Sequence, residues 1–224
     1  MEVEAALPLL EECVGISFGD LFADLPKDLV TNKGNVGQLL LLKIGLKLDS
    51  DLKDFSNGEL KTNKSDRLGN PRETMFITQV SQQIDTLVSD KPLPFEESNL
   101  FKKIERLIYL PVCKDEEDRR DWFFVSVHDV DLNKHTQLKK TIESDYYSIC
   151  EQLREHIIES DDGFIHTSNG ELIQIRSKDS KRKGVYNPIF SKHFNCFISN
   201  KNHAFYFKKE FMNHVRKIDG EATI

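Results

Sequence analysis

One segment of the chain, residues 136–159, constrains the fold more than any other. Its apolar residues recur every three or four positions, at Leu138, Ile142, Tyr146, Ile149, Leu153 and Ile157. This spacing predicts a long amphipathic helix with one face against a core. Residues 104–112 and 122–127 are rich in aromatic and branched apolar side chains, which is typical of buried strands. A long helix and buried strands in one chain predict an α+β fold with a mixed central sheet.

Turn signals predict two β-hairpins. Residues 58–62 and 74–80 have the composition of strands, and Gly69, Asn70 and Pro71 between them are typical of a turn. Residues 163–168 and 171–176 flank Asn169-Gly170, a dipeptide that is favoured in two-residue hairpin turns. We therefore expect the two strands of each pair to lie antiparallel.

Composition excludes several classes of protein. Of the 224 residues, 38% are hydrophobic and 30% are charged, which suits a core beneath a polar surface and excludes collagen-like or wholly disordered chains. Runs of apolar residues, such as residues 39–42, are far shorter than the roughly 18 residues of a membrane span. The acidic N-terminal residues are unlike a secretory signal, and the cysteines form no C-x-x-C pair. We expect one cytoplasmic domain, residues 1–224, with reduced thiols.

Basic residues are concentrated in one part of a chain whose net charge is -6. Residues 171–217 contain eleven Lys and Arg residues against three acids, Glu171, Asp179 and Glu210. A basic segment on an acidic chain is a candidate footprint for a polyanion. Taken alone, a charged run is more typical of a solvated surface. This segment therefore indicates nucleic-acid binding only in combination with a second signal.

Residues 54–61 (DFSNGELK) carry a pattern that suits phosphodiester hydrolysis. Along a strand, Glu59 and Lys61 point the same way, whereas Leu60 points into the core. Asp54, on the approach to the strand, can place its carboxylate beside that of Glu59. Two carboxylates bind Mg²⁺ and leave positions for water and phosphate, and a neighbouring lysine can orient the water and offset transition-state charge. The alternative is a solvent-facing strand with ordinary ion pairs.

Several segments, in order along the chain, resemble the MutH family. This family contains the strand-nicking endonuclease of methyl-directed mismatch repair, and related restriction enzymes share its catalytic domain. The segments are residues 32–40 (NKGNVGQLL), 54–55 (DF), 58–62 (GELKT), 69–76 (GNPRETMF), 95–98 (FEES), 103 (K), 106–112 (RLIYLPV), 170–178 (GELIQIRSK) and 204–211 (AFYFKKEF). Together they are far more specific than the E-x-K motif. The resemblance implies a PD-(D/E)XK restriction-endonuclease-like fold, with helices flanking the sheet and two lobes, roughly residues 1–115 and 116–224, around a DNA cleft.

The resemblance also implies roles for individual residues. Asp54 and Glu59 correspond to metal ligands, and Lys61 corresponds to the catalytic lysine. Lys103 corresponds to a second active-site lysine near the scissile phosphate. The predicted DNA-binding residues lie in or near the implied reading hairpin and the C-terminal strand: Arg176, Lys178, Lys181, Arg182, Lys183 and Tyr206. Arginine can pair with guanine through two hydrogen bonds, and lysine binds phosphate. The implied cofactor is Mg²⁺ and the implied partner is double-stranded DNA.

Two features depart from the family pattern. The family has a glutamate on the helix after the K-G-x-x-G turn, where this chain has Leu41. Gln38, one turn earlier, is a candidate neutral substitute. Four residues separate Asp54 from Glu59, two fewer than in MutH, and Asp51 is a second candidate ligand. Both departures concern the geometry of the metal site more than the fold.

Three functions are compatible with these patterns. The leading interpretation is a sequence-specific, Mg²⁺-dependent endodeoxyribonuclease of the type II restriction class, which leaves 5′-phosphate products. The alternative is a MutH mismatch-repair endonuclease that nicks the unmethylated strand at hemimethylated GATC and is activated by a MutL-like partner. The third is a DNA-binding module with impaired catalysis, which Leu41 motivates. In each case we expect a monomer or homodimer that does not bind membranes.

Overall fold

The structure, a computed structural model, describes residues 1–25, 36–47, 53–178 and 186–221. Its contacts divide the chain into two compact units, each assembled from separate segments. Unit one contains Met1–Met75, Lys103–Asp131 and Met212–Ile224, and unit two contains Phe76–Lys102 and Leu132–Phe211. The division into lobes of residues 1–115 and 116–224 stays a prediction.

Both helices and strands occur along the described chain, and the α+β prediction is confirmed. In chain order the elements are α1 (Val3–Glu11), α2 (Phe18–Leu21), α3 (Val36–Lys43), β1 (Glu59–Ser65), β2 (Met75–Gln79), α4 (Ile84–Leu87), α5 (Asn99–Ile104), β3 (Arg106–Cys113), β4 (Phe123–Phe124), β5 (His128–Asp131), α6 (Thr136–Glu159), β6 (Ser168–Asn169), β7 (Ile173–Ser177), β8 (Ile189–Ser191), β9 (Cys196–Ser199), β10 (His203–Phe207) and α7 (Lys209–Glu221). Short 3₁₀ turns occur at Phe95–Glu97 and Arg119–Asp121. Among the described residues, we find no helix that combines the length and apolar character needed to cross a membrane.

The sheet of unit one is built around β3. This strand is buried from its second residue to its last, as its run of branched and aromatic residues predicts. Strand β1 lies parallel to β3, with Glu59 opposite Leu107 and Lys61 opposite Tyr109. Strands β4 and β5 pair with β3 in the antiparallel direction. Parallel and antiparallel pairs in one sheet confirm the predicted mixed topology.

Three helices supply the core of unit one. Buried side chains of α1, α2 and α3 form one apolar cluster with Leu60 of β1 and with Ile108, Leu110 and Val112 of β3. The hydroxyl of Ser17 accepts a hydrogen bond from the backbone N–H of Asp20 at 3.2 Å, which is the cap expected at the start of a helix. Strand β1 is therefore fixed in two ways: Leu60 packs in this apolar cluster, and its backbone pairs with β3.

The predicted hairpin between residues 58–62 and 74–80 is wrong. Both segments are strands, but β1 pairs with β3, and β2 belongs to the sheet ordered β2-β10-β7-β6. The turn signal at residues 69–71 is correct: Asp66 accepts hydrogen bonds from the backbone N–H groups of Leu68 and Asn70 at 3.0 and 2.8 Å. A turn of this kind reverses the chain but does not determine which strands then pair.

Unit two joins the long helix α6 to a second sheet. The buried residues of α6 include five of the predicted apolar positions, Leu138, Ile142, Tyr146, Ile149 and Leu153, so the amphipathic pattern is confirmed. In the sheet, β7 lies between β6 and β10, and β10 is buried along its whole length. Strands β8 and β9 form a separate antiparallel pair. The predicted second hairpin forms, with Ser168 opposite Ile175 and Asn169 opposite Gln174, but Asn169 is a strand residue and the predicted turn position at Asn169-Gly170 is wrong.

Candidate active site

The start of β1 brings three of the predicted residues together. Phe55 and Gly58 form a tight turn, in which the Phe55 N–H donates to the Gly58 carbonyl at 2.9 Å. A side chain at Gly58 would meet Val3, because a Cβ there would lie 2.6 Å from Val3 Cγ2. The turn folds Asp54 back along the strand, and its Oδ2 accepts a hydrogen bond from the Leu60 N–H at 3.0 Å. Asp54 is therefore anchored beside the first residues of β1.

Glu59 is the centre of the cluster. Its Oε1 lies 2.6 Å from the Lys61 ammonium, and the Lys103 ammonium lies 3.1 Å from both of its carboxylate oxygens. Lys61 is two residues along the same strand, and Lys103 comes from α5. The structure thus brings Asp54, Glu59, Lys61 and Lys103 together within unit one.

Burial separates this cluster from an ordinary surface ion pair. The Glu59 side chain is 5% exposed, and the Lys61 and Lys103 side chains are 14% and 18% exposed. The alternative of a solvent-facing strand is therefore wrong for this segment, although the Glu59–Lys61 ion pair itself is present. Groups withdrawn from water to this degree interact more strongly than exposed pairs, since less solvent screens them.

The electrostatic environment of Asp54 reflects the crowding of charge. Burial, followed by the negative charge of Glu59, raises the pKa of the Asp54 carboxyl above its usual value. The Leu60 N–H and the charges of Lys61 and Lys103 act in the opposite direction. A carboxyl group whose charge is disfavoured by burial and by a neighbouring carboxylate is typical of sites that bind a cation.

The donor set fits a hard divalent cation. Asp54 and Glu59 offer carboxylate oxygens, the ligand type that Mg²⁺ prefers, and water and phosphate commonly complete such a site. Among the residues that the structure describes, no group of three or more His, Cys, Asp and Glu side chains is arranged to hold a metal. The predicted second ligand, Asp51, lies outside the described residues. The site therefore rests on two described acids.

The helix α3 supplies no acid to this site. Leu41, at the position of the family glutamate, is 7% exposed and packs in the same apolar cluster as Leu60. Gln38, the candidate substitute, is exposed one turn earlier. Leu41 therefore packs in the apolar core.

The predicted DNA-binding residues that the structure describes lie in unit two. Arg176 is exposed on β7, and its guanidinium carbon lies 4.3 Å from the centroid of the Tyr206 ring on β10. Tyr206 is largely buried, which raises the pKa of its hydroxyl, and the charge of Arg176 opposes that effect. Lys178 is exposed and its ammonium lies 3.1 Å from the centroid of the Phe76 ring. Lys181, Arg182 and Lys183 lie outside the described residues.

Phe76 is the one member of this surface to which the sequence assigned no role. Its ring packs edge-on against Tyr206, with centroids 5.8 Å apart, so two aromatic rings support the two cations. Strand alternation could have indicated this position: Met75 and Ile77 are buried, so Phe76 between them faces the other side of the sheet. A strand alone, however, does not reveal which neighbours cover that face.

No protein-family profile matches the chain. The chain is similar to the DNA mismatch repair protein MutH of Citrobacter koseri, at 28% identity over 90% of this chain and 85% of that protein. Similar matches are MutH of Klebsiella pneumoniae, at 28% identity over 93% and 88% of the two chains, and MutH of Haemophilus influenzae, at 27% over 93% and 92%. The similarity therefore extends over nearly the whole of both proteins.

Proposed function

Since this chain is related to the MutH family over most of its length, we propose that it is a DNA endonuclease of the MutH type with a PD-(D/E)XK-like fold. The substrate is double-stranded DNA, and the reaction is hydrolysis of a phosphodiester bond. The observation that carries the proposal is the buried contact of Glu59 with Lys61 and Lys103, beside Asp54. A cluster of two acids and two lysines suits the binding of a cation and a phosphate in one place.

We assign the roles of the cluster from its contacts. Asp54 and Glu59 would hold a divalent metal ion, for which we propose Mg²⁺. When bound, the ion would polarise the phosphate and activate water for attack. Lys103 donates to both oxygens of Glu59 and so orients that carboxylate. Lys61 has further N–H donors beyond its bond to Glu59, and these can orient the attacking water and offset charge on the phosphate.

We assign DNA contact to the exposed surface of unit two. Arg176 presents a planar guanidinium that can pair with a guanine edge, while the Tyr206 ring behind it limits its freedom. Lys178 is suited to phosphate, and Lys181, Arg182 and Lys183 follow it in the sequence. We also retain, as part of the proposal, the division into a catalytic lobe of residues 1–115 and a DNA-reading lobe of residues 116–224.

Mismatch repair is the better supported biological setting. The similar proteins are DNA mismatch repair proteins, whereas the type II restriction enzyme, the leading interpretation of the sequence, receives no specific support. We therefore propose the alternative: nicking of the unmethylated strand at hemimethylated GATC, with activation by a MutL-like partner. Sedimentation measures whether the chain is a monomer or a homodimer.

Cleavage of plasmid DNA tests this proposal. We expect nicking of hemimethylated GATC plasmid with Mg²⁺, faster with a MutL protein, and no cleavage after chelation of the metal with EDTA. Fully methylated plasmid is the matched control, and it should remain intact. Linearisation at fixed sites without MutL would support restriction instead. DNA binding without cleavage under every condition would support the impaired module.

Replacing Arg176 by alanine is expected to relax sequence choice. Loss of a base-pairing guanidinium should cost about 1–3 kcal/mol of discrimination between the preferred site and a site with one altered base pair. Cleavage rates on the two sites measure this difference. Lys209→Ala removes an exposed basic residue of the neighbouring helix and is the control. An unchanged site preference in Arg176→Ala would make this residue a phosphate contact.

A further inference from the structure

The turn of the predicted reading hairpin is not where the sequence places it. Asn169 is already paired with Gln174, and the Gly170 N–H donates to the Ile173 carbonyl at 2.9 Å. The two residues at the tip are therefore Glu171 and Leu172, two residues beyond the predicted Asn169-Gly170. Since local sequence favours the earlier position, a contact from elsewhere in the chain has to account for the later one.

That contact comes from Asp145 on the long helix α6. One of its carboxylate oxygens accepts a hydrogen bond from the Glu171 N–H at 2.7 Å. The other oxygen accepts from the N–H groups of Leu172 and Ile173 at 2.7 and 3.1 Å. The Asp145 residue is 6% exposed, and a carboxylate buried to this degree is stable only if its charge is satisfied. Three consecutive backbone donors provide that satisfaction.

Gly170 makes the close approach of this carboxylate to the turn possible. A Cβ at Gly170 would lie 2.2 Å from the Asp145 carboxyl carbon and 2.4 Å from Oδ1, so any side chain would displace the aspartate. The two residues just before the tip are also held by side-chain hydrogen bonds. Gln152, two turns further along α6, exchanges two hydrogen bonds of 3.0 Å with the backbone of Asn169. The Lys208 ammonium donates to the Gly170 carbonyl at 2.9 Å.

We propose that Asp145 is a positioning residue for DNA reading, an inference that rests on the proposed function of Arg176. By binding the N–H groups of residues 171–173, Asp145 fixes the point at which β7 begins. Arg176 lies three residues further on, about 10 Å along the strand, and its partner on β10 is Ala204. A one-residue shift of β7 would exchange Arg176 for Ile175 or Ser177 and reverse the face of every side chain. The aspartate thus determines where the guanidinium is presented.

The first test compares Asp145→Ala with Glu151→Ala, which removes an exposed acid from the same helix. We expect Asp145→Ala to reduce single-base discrimination in cleavage about tenfold, because β7 and Arg176 are then no longer held in one register. Cleavage of poorly matched DNA should change little, because the cluster around Glu59 is intact. Glu151→Ala should match the parent protein. A uniform loss of rate on all sites in Asp145→Ala would indicate a structural role only and overturn the proposal.

The second test uses the coupling between Asp145 and Gly170. Gly170→Ala alone should lower discrimination, because the new methyl group displaces the carboxylate. In the Asp145→Ala background the same change should have little further effect, since the carboxyl group that it strikes is gone. Additive losses in the double variant would contradict the proposed contact. Asp145→Asn, which keeps one acceptor oxygen, should lie between the parent and Asp145→Ala.

Hydrogen exchange separates failure of this inference from failure of the proposed function. In Asp145→Ala, the amides of residues 171–173 and of β7 should exchange at least about tenfold faster than in Glu151→Ala. If the parent protein cleaves no DNA, the proposed function fails. The role of Asp145 is then still decided by the exchange rates and by how strongly each variant prefers the matched DNA site over an altered site in a binding assay. Unchanged exchange in these segments would overturn the inference even in an active enzyme.

Discussion

Replacing Lys61 by alanine is expected to abolish DNA cleavage while duplex binding is retained. Lys61 is held against Glu59 at 2.6 Å, so under the proposed roles its ammonium lies beside the carboxylates that would receive the phosphate and its attacking water. A single donor that acts on transition-state charge typically contributes about 10²–10³-fold to the rate. Binding of the long duplex depends on many phosphate contacts and should change little. Single-turnover cleavage and a separate binding titration measure the two effects.

Lys64→Ala is the matched control for this change. Lys64 lies on the same strand but is exposed, so its removal alters the charge of β1 without touching the cluster. We expect the control to cleave at nearly the parental rate. Equal losses in Lys61→Ala and Lys64→Ala would mean that general basicity matters and that Lys61 has no specific part in the chemistry.

Replacing Glu59 by glutamine is expected to have two large effects at once. The neutral amide cannot supply the negative charge that a divalent cation needs, so metal binding and cleavage should both be lost. The change also leaves the largely buried Lys61 and Lys103 without their shared carboxylate. Leaving a buried charge unpaired is costly, and with partial solvation of both ammonium groups we expect a loss of about 1–3 kcal/mol in the free energy of unfolding.

Three measurements examine this second prediction: a metal titration followed by calorimetry, the cleavage rate, and unfolding in urea. Glu12→Gln, an exposed acid in the helical part of the same unit, is the control and should be neutral in all three. A Glu59→Gln protein that keeps its cleavage rate would remove Glu59 from the proposed metal site. If only the urea midpoint stays the same, the two lysines are better solvated than their exposure indicates.

Local patterns predicted individual elements well, and long-range contacts account for what they missed. The spacing of apolar residues predicted α6, because an amphipathic helix is encoded within its own length. The same logic predicted β1 but not its partner, since parallel pairing with β3 joins residues nearly fifty positions apart. The hairpin turn shifted for the same reason: it is bound by Asp145, 26 residues away from Glu171.

The candidate site shows the same division. Alternation along a strand predicted that Glu59 and Lys61 share a face, and their 2.6 Å contact agrees with it. It did not predict that Glu59 would be buried, because burial depends on what covers the strand. Lys103 was assigned only through family resemblance, since nothing in residues 99–104 indicates that their helix ends beside β1.

The paired lysines around Glu59 have a consequence for how a polyanion approaches this protein. Two carboxylates and two ammonium groups carry formal charges that cancel, so the cluster presents no net negative field to an incoming phosphate chain. Two bare acids in the same place would repel the phosphate backbone of DNA. In this protein the repulsion is offset in advance by side chains of the same fold, so the acids that we propose as metal ligands need not hinder the approach of a duplex.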